Sequence, residues 1–219
     1  MKKTLSEYLQ MYDIQNHMGK ELMQHLKLRH YQKGDYLMNA GSLLKEIVFI
    51  VNGRAKTLYI THNGESTLHS FLNPFMVIGD VEFFQQHRII NDVIALCDMD
   101  CLILPIQHRE SMLKDANFMY MLASQLSQKL IRSNHNKSVS LTYPVENRLA
   151  AYICASMNQG YFYDNQQDAA DMIGCSYRQL QRVLCKFIKE GYIEKKKKGV
   201  YQIVKEQDLR ELGSDIYVF

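Results

Sequence analysis

Apolar positions along this 219-residue chain change their period twice. Near the start, Leu5, Tyr8, Leu9, Tyr12, Leu22 and Leu26 fall at helical spacing around a break at Gly19, which predicts short helices. From Leu28 the repeat shortens. Lys33-Gly34-Asp35 and Asn39-Ala40-Gly41 bracket short strands, and the apolar run Ile47-Val48-Phe49-Ile50-Val51 ends at the turn pair Asn52-Gly53. Residues 54–61 alternate, His62-Asn63-Gly64 turns the chain, and residues 67–72 run back to Asn73-Pro74. Closely spaced strands with Gly turns predict an antiparallel barrel or jelly roll over about residues 28–106.

Beyond Pro105 the helical period returns. Residues 108–115 predict a short helix, and from Phe118 to about Leu141 no Pro or Gly interrupts a long one. Its Met119, Leu122, Leu126 and Ser133 fit a heptad seam, with Met121 and Leu130 beside it. Met119, Leu122, Leu126 and Leu130 are therefore the expected dimerisation residues; the competing expectation is a helix lying on its own barrel. Tyr143-Pro144 ends this helix, and Val145, Leu149, Tyr152, Ile153 and Met157 mark one face of the next.

Residues 166–191 carry the most specific pattern. Ala169, Ala170 and Ile173 give a narrow face that a second helix can cross closely. Gly174 suits a turn, and Ser176 suits an N-cap. Leu180, Val183, Leu184, Phe187 and Ile188 then form one apolar stripe, with Tyr177, Arg178, Gln181, Arg182 and Lys189 opposite. This is the layout of a helix-turn-helix, whose second helix (residues 177–190) would read the major groove. Lys195, Lys196, Lys197 and Lys198, then Gly199 and residues 200–204, predict a basic hairpin, or wing. Residues 178–198 hold eight basic and two acidic residues, a local balance of +6 in a chain of net charge +3. Positive charge gathered beside a groove-reading helix predicts phosphate binding.

Composition adds exclusions. No apolar run is long enough to cross a bilayer, and Ser6-Glu7 interrupts the only stretch resembling a secretory leader, so a cytoplasmic protein without a membrane partner is expected. Five cysteines without regular spacing, none before Cys97 and none in Cys-x-x-Cys, fit a reducing compartment and give no metal cluster. Cys154, Cys175 and Cys185 fall in helical patterns. The eight histidines are scattered; His62 and His69 lie in the barrel without the His-x-His pair of a cupin-type metalloenzyme. That enzyme, and a ligand-binding adaptor whose winged helix binds protein, are the competing functions.

The segments KGDYL, IVFIVNGRAK and FMVIGDVEFF, a long helix, and IGCSYRQLQRVLCKFIKEGYI together resemble the Crp/Fnr family of bacterial transcription regulators over residues 20–205. SLTYPVENRLAAYI and CSYRQL look more like its YeiL-type branch than like the cyclic-AMP receptor. The resemblance implies an α+β chain: an N-terminal antiparallel β-roll sensor of the jelly-roll, cyclic-nucleotide-binding-like type (residues 1–117), a long dimerisation helix (118–142) and a C-terminal winged helix-turn-helix (143–219). It also implies a homodimer on a palindromic double-stranded DNA operator, with RNA polymerase as a further partner if it activates. The family's Arg-Glu-x-x-x-Arg falls on Tyr177, Arg178 and Arg182, so the charge at Arg178 is reversed and the family's usual half-site is not implied. Arg182 suits a bidentate guanine contact. Ser176 and Gln179 match positions that touch phosphates, and Lys195 to Lys198 would add backbone contacts.

The implied sensor pocket departs further. Gly79-Asp80 stands where the family has Gly-Glu for a ribose. Ile89 and Ile90 stand where it has Arg and a hydroxyl residue for a cyclic phosphate. Arg88 is one residue away, which in a strand would be the opposite face. Cyclic AMP is therefore not an expected effector, no cofactor is identified, and the effector would be another small molecule. A thiol switch between Cys97 and Cys101 requires a sharp bend, because in an extended strand they would stand about 13 Å apart at roughly 3.3 Å per residue.

Overall fold

A computed structural model describes residues 3–60, 66–213 and 216; the expected turn at His62-Asn63-Gly64 lies outside the described residues. The chain divides into two compact units, Met1–Gln128 and Lys129–Phe219.

The first unit opens with α1 (Leu5–Met11) and α2 (Lys20–Met23). Thr4 and Glu7 start α1 with a reciprocal capping box. Then follow β1 (Lys27–Tyr31), β2 (Tyr36–Met38), β3 (Glu46–Asn52), β4 (Ala55–Ile60), β5 (Ser66–Leu72), β6 (Val77–Ile78), α3 (Asp80–Gln85), β7 (Asn91–Ala95) and β8 (Met99–Pro105). They make two four-stranded sheets, ordered β1-β8-β3-β6 and β2-β7-β4-β5, with antiparallel pairing throughout. The expected jelly roll is present, and α3 breaks its run of strands.

The apolar run in β3 is continuous because both of its faces are covered. Ile47, Phe49 and Val51 face a core shared with Tyr8, Leu22, Leu102, Leu104 and Met112, whereas Val48 and Ile50 face the barrel interior with Val93, Cys101 and Ile103. Tyr8 hydroxyl donates to Asp100 Oδ2 at 2.7 Å, and His30 Nδ1 lies 2.9 Å from Asp100 Oδ1, so the buried carboxylate ties α1 to the sheet.

After α4 (Arg109–Lys114), Asp115 starts α5 (Ala116–Thr142). Its carboxylate accepts from Phe118 N at 3.0 Å and from Gly19 N at 2.6 Å. At Leu122 the expected heptad seam is corrected. Leu122 is fully buried with Phe118 and Met121 in the barrel's own core, so it does not face outward, and the half-buried Met119 packs against that core. Leu126 is half-buried. Among its described residues, the large apolar side chains that α5 leaves exposed are Tyr120 at 79%, Leu130 at 62% and Ile131 at 67%.

The second unit contains α6 (Val145–Ser156), β9 (Tyr161–Phe162), α7 (Gln166–Ile173), α8 (Tyr177–Lys189), β10 (Ile193–Lys197), β11 (Val200–Ile203) and α9 (Glu206–Leu212). Leu149, Tyr152 and Ile153 of α6 are buried as their spacing predicts, while Val145 and Met157 are half-buried. The wing is a three-stranded sheet, β10-β11-β9. Phe162 stacks on Tyr201 at 6.2 Å between centroids and meets Tyr152 edge-on at 6.0 Å, which joins the sheet to α6.

Candidate nucleic-acid interface

Residue chemistry explains each step of the helix-turn-helix. Asn165 Oδ1 caps α7 by accepting from Gln167 N at 2.9 Å and Asp168 N at 3.1 Å. Ala169, Ala170 and Ile173 are fully buried. Gly174 ends the helix at φ 68°, ψ 49°, a left-handed conformation that a side chain would strain, and Cys175 N returns to Ala170 O at 2.9 Å. Cys175 thus sits in the turn and not in a helix, and burial pushes its thiol pKa up. Ser176 then caps α8, whose Leu180, Val183, Leu184 and Phe187 are buried. Ile188 is 37% exposed, so the expected stripe is one residue too long.

The cap changes what two expected phosphate contacts can do. Ser176 Oγ accepts from Gln179 N at 3.2 Å and donates to Gln179 Oε1 at 3.1 Å, and that amide oxygen also accepts from Ser176 N at 2.9 Å. Ser176 and Gln179 serve each other, which leaves the helix end well formed and engages the Ser176 hydroxyl, while the Gln179 Nε2 donors take no part in the cap.

Tyr177, Arg178 and Arg182 are exposed, and Gln181 is half-buried. Neither arginine makes an ion pair among the described residues, whereas Lys186 closes on Glu146 at 2.5 Å. In the wing, Lys195 to Lys198 are all exposed. Lys195 pairs with Tyr201 and Lys197 with Val200, so Lys196 is the extra residue of a bulge, where it reaches Glu194 at 2.9 Å. Lys195, Lys197 and Lys198 have no acidic partner among the described residues. The resulting surface is a capped helix and an adjacent strand pair carrying unpaired cations, which suits a polyanion.

Three contributors escaped the sequence reading. Arg148 of α6 is buried, and its guanidinium donates to Ile173 O, and to Gly174 O at 3.3 Å. It thereby satisfies carbonyls that the end of α7 leaves open. Gln166 and Tyr201 join α7, α8 and the wing through hydrogen bonds at 2.6–3.2 Å. An Arg inside the apolar face of α6 was the one visible signal.

The sensor candidates lie in the other unit. Gly79 adopts φ 90°, and a Cβ there would fall 2.8 Å from Leu44 Cδ1, so the position requires glycine. Asp80 and Glu82 are buried at the start of α3, and Glu82 Oε1 accepts from Ile90 N at 3.4 Å. Residues 86–90 are irregular, with β7 beginning only at Asn91, so strand alternation does not orient Arg88 as expected. Arg88 is exposed and donates to Gly41 O at 2.8 Å. Ile89 is buried, but Ile90 is 44% exposed and does not line the interior. The bend falls at residues 96–98, which leaves Cys97 exposed while Cys101 is already within β8 and fully buried. Burial pushes the Cys101 thiol up to about 12, so the thiolate that exchange requires is suppressed. Among the described residues, no three His, Cys, Asp or Glu side chains gather as metal ligands would, and no helix is long and apolar enough to cross a membrane.

The chain matches the family model of a cyclic nucleotide-binding domain over residues 28–116 and that of a Crp-like helix-turn-helix domain over residues 147–212. It is similar to the regulatory protein YeiL of Escherichia coli O157:H7, 31% identical over 191 residues that cover 87% of each chain. It is also similar to Vfr of Pseudomonas aeruginosa, a cAMP-activated global transcriptional regulator, at 22% identity over 81% of this chain and 90% of that one. A solved Crp/Fnr-family transcriptional regulator from Thermus thermophilus shares the fold with a TM-score of 0.74, at 19% identity over 87% of this chain and 100% of that chain.

Proposed function

The chain belongs to the Crp/Fnr family of transcription regulators, and from that premise we propose that it works as a homodimer whose two α8 helices read the half-sites of a palindromic operator in the major groove. One observation carries this reading: Arg178 and Arg182 stand exposed and unpaired, among the described residues, on a firmly capped helix beside the lysines of the wing. Arg182 would contact a guanine. Arg178 adds a second donor one turn earlier, where the family pattern has an acceptor. Lys195, Lys197 and Lys198 would hold the backbone.

Two copies suit a reader of two half-sites, and the exposure of Tyr120, Leu130 and Ile131 on α5 supports self-association along that helix. In this reading residues 1–117 sense a small effector, residues 118–142 dimerise, and residues 143–219 bind DNA. The protein works in the cytoplasm, with RNA polymerase as a partner where it activates.

The effector differs from that of the cAMP-activated Vfr. Arg88 is held by Gly41 O, Ile89 is buried, and Asp80 and Glu82 bring carboxylates to α3. A cyclic phosphate packed against the buried Ile89 would lose its hydration while Arg88 stays engaged with Gly41 O, a cost on the order of several kcal/mol.

Calorimetric titration tests the sensor half: no heat of binding is expected with micromolar cyclic AMP or cyclic GMP, and a low-micromolar Kd would refute it. For the DNA half, anisotropy titrations across a salt series should give affinity that falls steeply with salt. Salt-independent binding to duplex would contradict that half.

A further inference from the structure

Gln166, the first residue of α7, holds three side chains at once. Its Oε1 accepts from Gln181 Nε2 at 2.6 Å and from Tyr177 hydroxyl at 3.2 Å, while its Nε2 donates to Tyr201 hydroxyl at 2.8 Å. Tyr201 is 3% exposed and stacked on Phe162, so the network is anchored in packed structure. At its other end lies Gln181, between Arg178 and Arg182 on the helix proposed to enter the groove.

The oxygen and nitrogen of a glutamine amide are alike in shape and opposite in hydrogen bonding. A freely turning Gln can present either to a base. Here the nitrogen of Gln181 is turned toward Gln166, so its carbonyl oxygen faces away, with the second amide hydrogen beside it. Adenine offers the complement in the major groove, an N6 donor next to the N7 acceptor; guanine offers only acceptors, N7 and O6. An outward carbonyl accepts from adenine N6 and is repelled by guanine O6.

We infer that Gln166 is a positioning residue that sets Gln181 to read adenine in preference to guanine, with Tyr201 as the buried anchor of that setting. The inference rests on the reading above that α8 lies in the major groove, and it adds an element of specificity supplied from outside the recognition helix.

The test is selection of bound sequences from a random duplex pool by the full chain, for wild type, Gln181→Ala, Gln166→Ala, Gln166→Glu and Tyr201→Phe. The wild type should enrich adenine at one position per half-site, and Gln181→Ala should erase that preference. Gln166→Ala should lower the adenine-over-guanine ratio at the same position by about fivefold or more, with the other positions and the salt dependence kept. Gln166→Glu should preserve it, because a carboxylate still accepts from Gln181 and Tyr177. Tyr201→Phe should give a smaller loss in the same direction, which keeps the test available if Gln166→Ala folds poorly. A merely structural role would weaken every position alike. An unchanged ratio in Gln166→Ala, where Gln181→Ala erases the preference, would overturn the inference while leaving the DNA reading intact. A pool that enriches no motif with the wild type would remove both.

Discussion

In the barrel, Arg29 closes on Glu46, Tyr8 and His30 share Asp100, and Arg88 is directed at Gly41 O. In the helix-turn-helix unit, Arg178, Arg182, Lys195, Lys197 and Lys198 are exposed and form no ion pair among the described residues. The contrast separates two uses of charge. A buried charge such as Asp100 holds its own fold together, because leaving it without a partner costs more than the pair returns. An exposed cation without a partner adds little to stability and remains available to a phosphate backbone or a base edge. Substitutions in the two regions should therefore divide cleanly, those in the barrel changing stability and those on the cationic surface changing binding.

The largest effect should come from Phe187→Ala. It removes a fully buried ring from α8 and should cost about 3–5 kcal/mol in denaturant unfolding; a loss below about 1 kcal/mol would mean that α8 is not packed as described. Arg182→Ala should leave stability unchanged and cost about 1–3 kcal/mol in affinity for the selected operator, with relaxed preference at one base. An equal loss on random duplex would reassign Arg182 to the backbone.

Tyr8→Phe reverses the pattern. With one acceptor of the buried Asp100 left short of a donor, barrel stability should fall by about 1–2 kcal/mol while operator affinity holds. Lys197→Ala should be milder still, weakening binding alike on all sequences and lowering the salt slope by about 1. Least visible is the thiol chemistry: near pH 8, well below the value to which burial lifts Cys101, iodoacetamide should label Cys97 and Cys185 and spare Cys101 in the folded protein, read by peptide mass spectrometry. Rapid labelling of Cys101 would show that β8 opens readily.

The helix-turn-helix was legible because its information is local. Spacing alone placed Ala169, Ala170, Ile173, Leu180, Val183, Leu184 and Phe187 on buried faces, and all are buried. Ile188 failed because it lies about 80° round the helix from Leu180 at roughly 100° per residue, at the edge of the stripe. On α5 the seam was misplaced at Leu122 for a different reason. Periodicity reveals that a face is apolar but not what covers it, and Phe118, Met121 and Leu122 are covered by their own barrel. Nor did spacing distinguish the buried Arg148 from an exposed one. The Gln166 network joins residues 11, 15 and 35 positions apart, so it exists only once the second unit has folded. In the sensor, α3 and the irregular residues 86–90 stand in place of the expected strand, so strand alternation does not set the orientation of Arg88.

On the reading proposed above, α8 and the wing present cations that are unpaired among the described residues to one preferred duplex sequence. Selection from a random duplex pool, run in parallel with the wild type and with Arg178→Ala/Arg182→Ala, measures it most directly. The wild type should enrich a two-fold symmetric motif with half-sites spaced by about one helical turn or a multiple of it, absent from the double variant although that variant melts like the wild type. Enrichment of no motif by the wild type, or of the same motif by both proteins, would contradict it.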